Sequence, residues 1–400
     1  MAERQQGSQA QGEVPPPEGA GKELRGAVLA PLTDPWCQRK RRHRDSHTAQ
    51  DAPADGGDEG ETSGLFAGHG PSLLTAASLT AAPDPAARAR SRLDRGFPGI
   101  LALPRGYSGD MQVGVVFPQT EIGADVGAVR AYAHGVEALG FAHLLAYDHV
   151  LGADPAVHAD WRGPYDVHTT FHEPFVLFGY LAAITSVELV TGVIILPQRQ
   201  TALVAKQAAE VDLLTGGRLR LGVGLGWNPV EYEALGKQFS DRGRRIGEQV
   251  ELLRRLWSEP TVTHQGAYER VSGAGLAPLP TQRPIPVWFG AQSAPAYRRA
   301  GRVADGWFPQ VAPGPRLDEA RSIVERSAID AGRDPSLLGM EGRVSWGTGG
   351  AAQLAEHAQR WRRAGASHLG VNTMGAGLVS VDGHLGALTA AAEALGLTRP

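Results

Sequence analysis

Cysteine is nearly absent from this 400-residue sequence, which contains only Cys37. A single cysteine excludes an internal disulfide framework and is typical of a reducing compartment, so we expect a cytoplasmic protein. No apolar run approaches the roughly 18 residues of a membrane span, and the first residues lack the apolar core of a secretory signal. The net charge of −3 argues against a dedicated nucleic-acid binder. The remaining composition is that of an ordinary globular protein with many turns.

The first 110 residues contain few apolar side chains in a row. They combine polar stretches rich in Pro, Gly and Ala with a basic cluster at 39–42 and the acidic run DAPADGGDEGE. Such a segment buries too little apolar surface to offset its ordering entropy, which predicts disorder. The basic cluster is interpreted as a solvated charge run rather than a nucleic-acid contact. Alternatively, residues 1–110 are an extension upstream of a true start at Met111.

Strand-like and helix-like segments alternate from Met111 onward. The predicted strands are 112–118, 141–150, 187–197, 218–227, 286–291, 306–310, 340–347 and 368–374. They are nearly continuous apolar runs, the pattern of parallel strands that helices cover. Eight strand–helix units predict an α/β fold of the TIM (β/α)8 barrel type over residues 111–400, with a doubly wound sheet as the alternative. A small hairpin is predicted between units four and five, in TVTHQGAYERVSGAGLAPLP.

Three glycines alternate along the fourth predicted strand, RLRLGVGLGW (218–227). A dinucleotide-binding fingerprint needs a glycine at position 227, where Trp227 stands, and no Gly-Lys-Ser/Thr follows for a phosphate-binding P-loop. Alternating glycines clear one face of a strand. Either a flat molecule approaches the backbone there, or the glycines relieve crowding inside the barrel.

Asp148 and His149 end the second predicted strand, where a barrel exposes catalytic groups. Histidine exchanges protons near neutral pH, so His149 is a candidate proton-transfer group. The Asp148 carboxylate either fixes the tautomer of His149 or caps a turn. The alternative for His149 is an ordinary hydrogen-bonded loop histidine.

Two further strand ends carry candidate binding residues. Gly290, Ala291, Gln292 and Ser293 precede a helix, whose free N–H groups make an anion site unless Ser293 is a simple N-cap. Trp227 and Asn228 close the fourth strand and would line a cofactor channel. Glu231 and Glu233 follow on the next helical turn. Either is a candidate proton donor, but a solvated helix charge is the favoured interpretation.

The histidine pair at 168 and 172 has helical spacing but lacks the glutamate of a zinc-protease motif. Prolines at 164 and 174 flank the pair and disfavour a helix there. We therefore expect no metal site. No G-x-S-x-G elbow is present, so acyl-transfer chemistry has no support.

Three segments together resemble a known family. The run LPQRQTALVAKQAAEVDLLTGGRLRLGVGLGWNPVEYEALG is similar to the signature segment of the bacterial luciferase-like flavin and deazaflavin oxidoreductases. It is most similar to their actinobacterial, F420-dependent branch. GAQSAPAYRRAGRVADGWFPQ and AYDHV match two further family segments. The resemblance covers residues 111 to about 396, and the family fold is a TIM barrel with an inserted segment.

The resemblance implies hydride transfer between coenzyme F420 and a small organic substrate, with His149 near the reactive face of the cofactor ring. It further implies a bulge at the end of the third strand, often with a non-proline cis peptide, which puts Ile194, Ile195 and Leu196 behind the ring. The expected cofactor-binding residues also include Gly224, Gly226, Trp227, Asn228 and the phosphate-binding loop Gly290, Ala291, Gln292 and Ser293.

Two alternatives to this activity remain. One is an FMN-dependent luciferase-like monooxygenase, in which reduced flavin activates oxygen. The other is a non-catalytic flavin-binding barrel, recognisable by a mouth too closed or apolar for both ligands, or by Asp148 and His149 facing away from it. A homodimer is expected because dimers are common among proteins of the family that the sequence resembles.

Overall fold

The computed structural model describes residues 110–397, so the prediction of disorder before them lies outside the described residues. Their strands are β1 Gln112–Val116, β2 His143–Ala146, β3 Glu188–Thr191, β4 Ile194–Ile195, β5 Leu219–Gly224, β6 Val262–Gln265, β7 Arg270–Ala274, β8 Val287–Ala291, β9 Gly306–Pro309, β10 Gly339–Ser345 and β11 His368–Asn372.

Nine of these strands form one closed parallel sheet. The order around the ring is β3-β2-β1-β11-β10-β9-β8-β5-β4, and β3 also pairs with β5, which closes the ring. Because β3 and β4 are two parts of one barrel strand, the ring contains eight strand positions. The predicted TIM barrel is therefore confirmed. The doubly wound alternative is wrong, because such a sheet has open edges.

Helices connect successive strands and cover the barrel. They are α1 Gln119–Ile122, α2 Val126–Ala138, α3 Pro174–Leu181, α4 Thr201–Thr215, α5 Pro229–Ala234, α6 Arg242–Ser258, α7 Ala294–Val303, α8 Pro315–Asp330, α9 Gly350–Arg363 and α10 Val381–Leu395. α4 ends where the sequence requires it, because Gly216 adopts the left-handed conformation (φ 69°) that closes a helix. Between 110 and 397, no helix is both long and apolar enough to cross a membrane.

The insertion between α6 and β8 is the antiparallel hairpin β6–β7 that the sequence predicts. The main hydrophobic core lies between the strands and the helices. A second, smaller cluster fills the barrel interior and consists of Val116, Leu145, Val190, Trp288 and Phe308. The strands lie between these two cores, so their side chains must be apolar on both faces of the sheet.

Candidate active site

A cavity of about 970 Å³ opens at the carboxyl ends of the barrel strands. All eight strand positions, or the loops that follow them, contribute to its wall. Active sites of TIM barrels lie at this end, and the volume is at the upper limit for small-molecule and cofactor pockets. Ten of the predicted site residues line it: Asp148, His149, Ile195, Gly224, Gly226, Trp227, Gly290, Ala291, Gln292 and Ser293. Ile194, Leu196 and Asn228 do not.

A bulge interrupts the third barrel strand between β3 and β4. Val190 pairs with Arg220 and Ile194 with Val223, so four residues of one strand match three of its neighbour. The peptide Gly192–Val193 within the bulge is cis. The structure thus contains the bulge and the non-proline cis peptide that the family resemblance implies, and both residues line the cavity.

The alternating glycines of β5 make room for this bulge. A Cβ atom on any of the three would lie between 1.9 and 2.7 Å from an atom of the third strand, closer than packed atoms can approach. The contacts pair Gly222 with the carbonyl oxygen of Thr191, Gly224 with Val193, and Gly226 with Ile195. Close packing of the third strand therefore accounts for all three glycines, and Gly224 and Gly226 also line the cavity. The glycines also serve the cavity indirectly, because they seat the residues that form its wall.

The cavity face of the bulge consists of Val193 and Ile195. Ile194 and Leu196, which the resemblance placed behind the cofactor, are fully buried in the hydrophobic core. Side chains alternate along an extended chain, so residues 193 and 195 share one face and residue 194 takes the other. The predicted wall is corrected accordingly.

His149 is held in place by a buried carboxylate, that of Glu231. Its Nδ1 lies 3.4 Å from Oε2 of Glu231, whose side chain is 1% exposed. Glu231 also accepts hydrogen bonds from Gln198 Nε2 (3.0 Å), from the Leu151 amide (3.2 Å) and from the Val150 amide. The prediction that Glu231 is a solvated charge is wrong.

The charge state of Glu231 follows from these contacts. Burial opposes ionisation, but the hydrogen bonds from His149, Gln198 and Val150 outweigh it and lower the pKa of Glu231 below its usual value. An ionised carboxylate at Nδ1 keeps a proton on that nitrogen. Nε2 is then the nitrogen of His149 that exchanges protons.

Three aromatic rings fix the plane of the His149 imidazole. The ring centroids of Tyr165, Phe171 and Trp227 lie 5.5, 4.8 and 5.2 Å from that of His149. Tyr165 and Phe171 come from the loop between β2 and α3, whose sequence carried no readable signal. These rings limit water access to the histidine on the sides they cover.

Asp148 anchors the bulge instead of orienting His149. Its Oδ1 accepts from Arg199 Nη2 (2.8 Å), and its Oδ2 accepts from the amide of Ile195 (3.0 Å). Burial raises the pKa of the Asp148 carboxyl, and Arg199 opposes that rise only in part. The suggestion that Asp148 fixes the tautomer of His149 is therefore wrong.

The loop before α7 offers anion-binding groups to the cavity. Ser293 precedes this ten-residue helix, and its side chain forms no capping bond, which leaves its hydroxyl and the first helical amides for a ligand. Arg242, at the start of α6, also lines the cavity. It stacks over Phe239 (3.5 Å to the ring centroid), and no described residue forms an ion pair with it.

Asn228 has a structural role. Its Oδ1 accepts from the amides of Val230 and Glu231 and so caps α5, and its Nδ2 donates to the carbonyl of Leu151. It lines a smaller cavity of about 240 Å³ on the other side of His149. The prediction that Asn228 lines the cofactor channel is corrected to a helix cap.

Sequence reasoning assigned no residue on the side of the cavity formed by β10. Arg343 lies there and donates to the hydroxyl of Tyr147 (3.0 Å) and to Oε1 of Gln310 (3.2 Å). Side chains alternate between the two faces of the strand GMEGRVS (339–345), so Glu341, Arg343 and Ser345 share the face that lines the cavity. This alternation could have identified Arg343 from the sequence. Within residues 110–397, no group of three His, Cys, Asp or Glu side chains could hold a metal ion.

Comparisons with known proteins agree with this geometry. The family model described as luciferase-like monooxygenase matches residues 111–388. An uncharacterised protein of Mycobacterium bovis is 38% identical over 164 residues, which are 41% of this chain and 56% of that protein. The F420-dependent glucose-6-phosphate dehydrogenase of Segniliparus rotundus is 33% identical over 194 residues (46% and 57%). The FMNH2-dependent dimethylsulfone monooxygenase of Pseudomonas fluorescens is 35% identical over 140 residues (34% and 38%).

The chain spans about half the length of the curated relatives it matches. Among solved structures, an F420-dependent secondary alcohol dehydrogenase in complex with an F420–acetone adduct is similar, with a TM-score of 0.59 at 18% identity. The match covers 70% of this chain and 99% of that one. At this identity the likeness is one of fold.

Proposed function

The chain belongs to the luciferase-like monooxygenase family, and on that premise we propose that it transfers a hydride between coenzyme F420 and a small organic substrate. The observation that carries the proposal is the position of His149. A buried carboxylate orients it, and its ring lines a cavity large enough for a cofactor. The relatives named for F420 support the choice of cofactor.

The cavity fits a flat cofactor that carries an anionic tail. Val193 and Ile195 give an apolar wall for a ring, with Gly224 and Gly290 beside it. Ser293, the first amides of α7 and Arg242 supply donors and positive charge for a phosphate group. When bound, F420 would supply the hydride chemistry.

The chain's own residues move the proton, and they can move it in either direction. With the Nδ1 proton held by Glu231, a neutral His149 accepts a proton at Nε2, and the protonated form donates one there. An alcohol substrate loses its hydroxyl proton to Nε2 on oxidation, and a carbonyl substrate receives a proton from it on reduction. The surrounding rings of Tyr165, Phe171 and Trp227 reduce competing exchange with water.

An FMN-dependent monooxygenase is the second candidate, favoured by the relative named for FMNH2. The non-catalytic barrel has less support. Its expected marks were a closed or apolar mouth, or Asp148 and His149 turned away. Instead the cavity is open, polar side chains line it, and both residues are among them.

Equilibrium fluorescence titration of the full chain with oxidised F420 and, separately, with FMN tests the proposal. We expect F420 to bind at micromolar concentration or tighter and FMN at least about ten-fold more weakly, a difference of about 1.4 kcal/mol. Preferential FMN binding would replace the proposal with the monooxygenase. Binding of neither would refute both.

A further inference from the structure

Arg343 is a cation of the cavity wall that no carboxylate neutralises. Its side chain is exposed, lines the cavity and forms no ion pair with any residue between 110 and 397. Its hydrogen-bond partners, Tyr147 and Gln310, are both neutral. A guanidinium among neutral groups keeps its full charge for a ligand.

The carboxylates of the same wall have contacts of their own. Asp148 binds Arg199, Glu341 binds Arg220, and Glu121 accepts from the amide of Gly375 and contacts His384. None of the three forms an ion pair with Arg343. The part of the cavity around Arg343 therefore favours negative charge.

The two partners of Arg343 add donors of their own. The Tyr147 hydroxyl oxygen accepts from Arg343 and keeps its O–H for a ligand. Gln310 accepts through Oε1 and keeps its amide N–H groups. Arg343, Tyr147 and Gln310 therefore form a set of donors around one positive charge. Carboxylates and phosphates, which accept several hydrogen bonds at once, match such a set.

Arg343 lies on the side of the barrel opposite the bulge. β10 lies four strand positions from the third barrel strand in either direction around the ring, so Arg343 faces the bulge across the cavity. Arg242 and Ser293, the groups suited to the cofactor phosphate, belong to segments that follow β5 and β8. Gln310 lies between the two regions, because its backbone amide donates to the carbonyl of Ala291 (3.2 Å). An anion at Arg343 and a cofactor phosphate at Ser293 are therefore distinguished by the variants Arg343→Gln and Arg242→Gln, and the space between Arg343 and the bulge is left for the reacting part of a substrate.

We propose that the substrate carries a carboxylate or phosphate group and that Arg343, with Tyr147 and Gln310, binds it opposite the bulge. This inference deepens the proposed function and rests on it for the identification of the cavity as a catalytic site. Arg343 is then the residue that determines substrate class, while His149 acts on the reacting atoms.

Isothermal titration of the full chain without cofactor tests the proposal with two isosteric probes, benzoate and the neutral benzamide. We expect the wild-type chain to bind benzoate at least about ten-fold more tightly, the scale of one charge-assisted hydrogen bond. Arg343→Gln should abolish the preference. Arg343→Lys should retain part of it, because lysine keeps the charge but loses the planar fork.

Two matched variants complete the design. Arg326→Gln removes the same charge from an exposed position on α8 outside the cavity wall and should leave the preference unchanged. Arg242→Gln should weaken F420 or FMN binding and also leave the benzoate preference unchanged. The proposal is overturned if wild type shows no preference, if Arg343→Gln keeps it, or if Arg326→Gln loses it as well.

The same variants keep this inference distinct from the proposed function. If Arg343→Gln weakens cofactor binding while the benzoate preference persists, Arg343 is a cofactor contact and the inference is wrong. If wild type binds benzoate selectively but neither cofactor, the proposed function fails and the anion site stands.

Discussion

The barrel contains two charged clusters of similar composition, one toward each end. The floor cluster, at the amino ends of the strands, consists of His143, Glu188, Arg220 and Glu341. The mouth cluster consists of Asp148, His149, Arg199 and Glu231. Each combines a histidine with two carboxylates and an arginine.

Access distinguishes the two histidines. In the floor cluster, His143 is fully buried and donates to or accepts from Glu341 at 3.0 Å, and Arg220 binds Glu341 at 2.6 Å while stacking over Trp288. In the mouth cluster, His149 keeps one edge on the cavity. Of the floor cluster, Glu341 reaches the cavity and His143 does not. The enclosed histidine thus serves stability and the histidine at the open end is available for reaction, as expected for the two faces of a TIM barrel.

The largest expected effect is on activity at the mouth. Replacing His149 by Ala should lower the single-turnover rate by about a hundred-fold or more, because it removes the proton-transfer group. The midpoint of thermal unfolding should fall only moderately, because Glu231 keeps its hydrogen bonds from Gln198 and from the amides of Val150 and Leu151. His168→Ala, at an exposed loop position, is the control and should leave the rate unchanged. Equal rates for wild type and His149→Ala would show that the two clusters do not differ in function.

The floor cluster should show the opposite result. Glu341→Gln removes the charge that faces Arg220 and His143, and leaving a buried charge with fewer partners costs about 3 kcal/mol of unfolding free energy. Urea unfolding of wild type and Glu341→Gln measures this loss of unfolding free energy. The isosteric change Glu231→Gln at the mouth should lower the unfolding free energy less than Glu341→Gln does, and it should lower the single-turnover rate more. If both variants lose stability equally, the comparison between the clusters fails.

A third prediction concerns the glycines that seat the bulge. Gly224→Ala puts a Cβ atom 2.5 Å from Val193 Cγ2, so the bulge must shift. We expect a loss of about 1–3 kcal/mol in stability together with weaker cofactor binding. Gly247→Ala, on α6, meets no atom within 4 Å and should be neutral or stabilising. Unchanged cofactor affinity in Gly224→Ala would remove the bulge from the binding site.

The smallest effect is in the pH dependence of stability. Burial works against ionisation of Glu341, but the charges of His143 and Arg220 outweigh it and lower the pKa of this carboxyl. The stability that Glu341 contributes to the folded state is therefore fully present above the pKa of the unfolded chain and is lost as pH falls. Burial raises the pKa of Asp148, so the stability that this carboxyl contributes to the folded state is present at low pH and is lost as pH rises. From about pH 5 to about pH 3, the stability gap between wild type and Glu341→Gln should narrow and that between wild type and Asp148→Asn should widen. Gaps that move in the same direction would contradict these assignments.

The fold was predictable because its signal is spread over the whole chain. Eight nearly continuous apolar runs separated by helical patterns admit few architectures, and each observed barrel strand lies within or close to its predicted run. Boundaries were predicted less well. The third run, 187–197, is divided by its bulge, and the second strand ends at Ala146, before Tyr147, Asp148 and His149 turn into the mouth.

The site was predictable only in part, because its contacts join residues far apart in sequence. His149 could be found from its place at a strand end, but its partner Glu231 is 82 positions further along the chain. Burial of Glu231 depends on Gln198 and on the amides after His149, which no local pattern encodes. The glycine run illustrates the same limit, since its spacing was clear but the neighbour that requires it, the bulge, was not.

Nitrogen NMR of the histidine side chains tests the central claim most directly. In a chain labelled with ¹⁵N-histidine, His149→Gln identifies the resonances of His149 among those of the 13 histidines. The account predicts that the neutral ring carries its proton on Nδ1, that Glu231→Gln weakens this preference, and that F420 shifts the Nε2 resonance. A proton on Nε2 instead, or resonances that do not respond to F420, would contradict the role of His149.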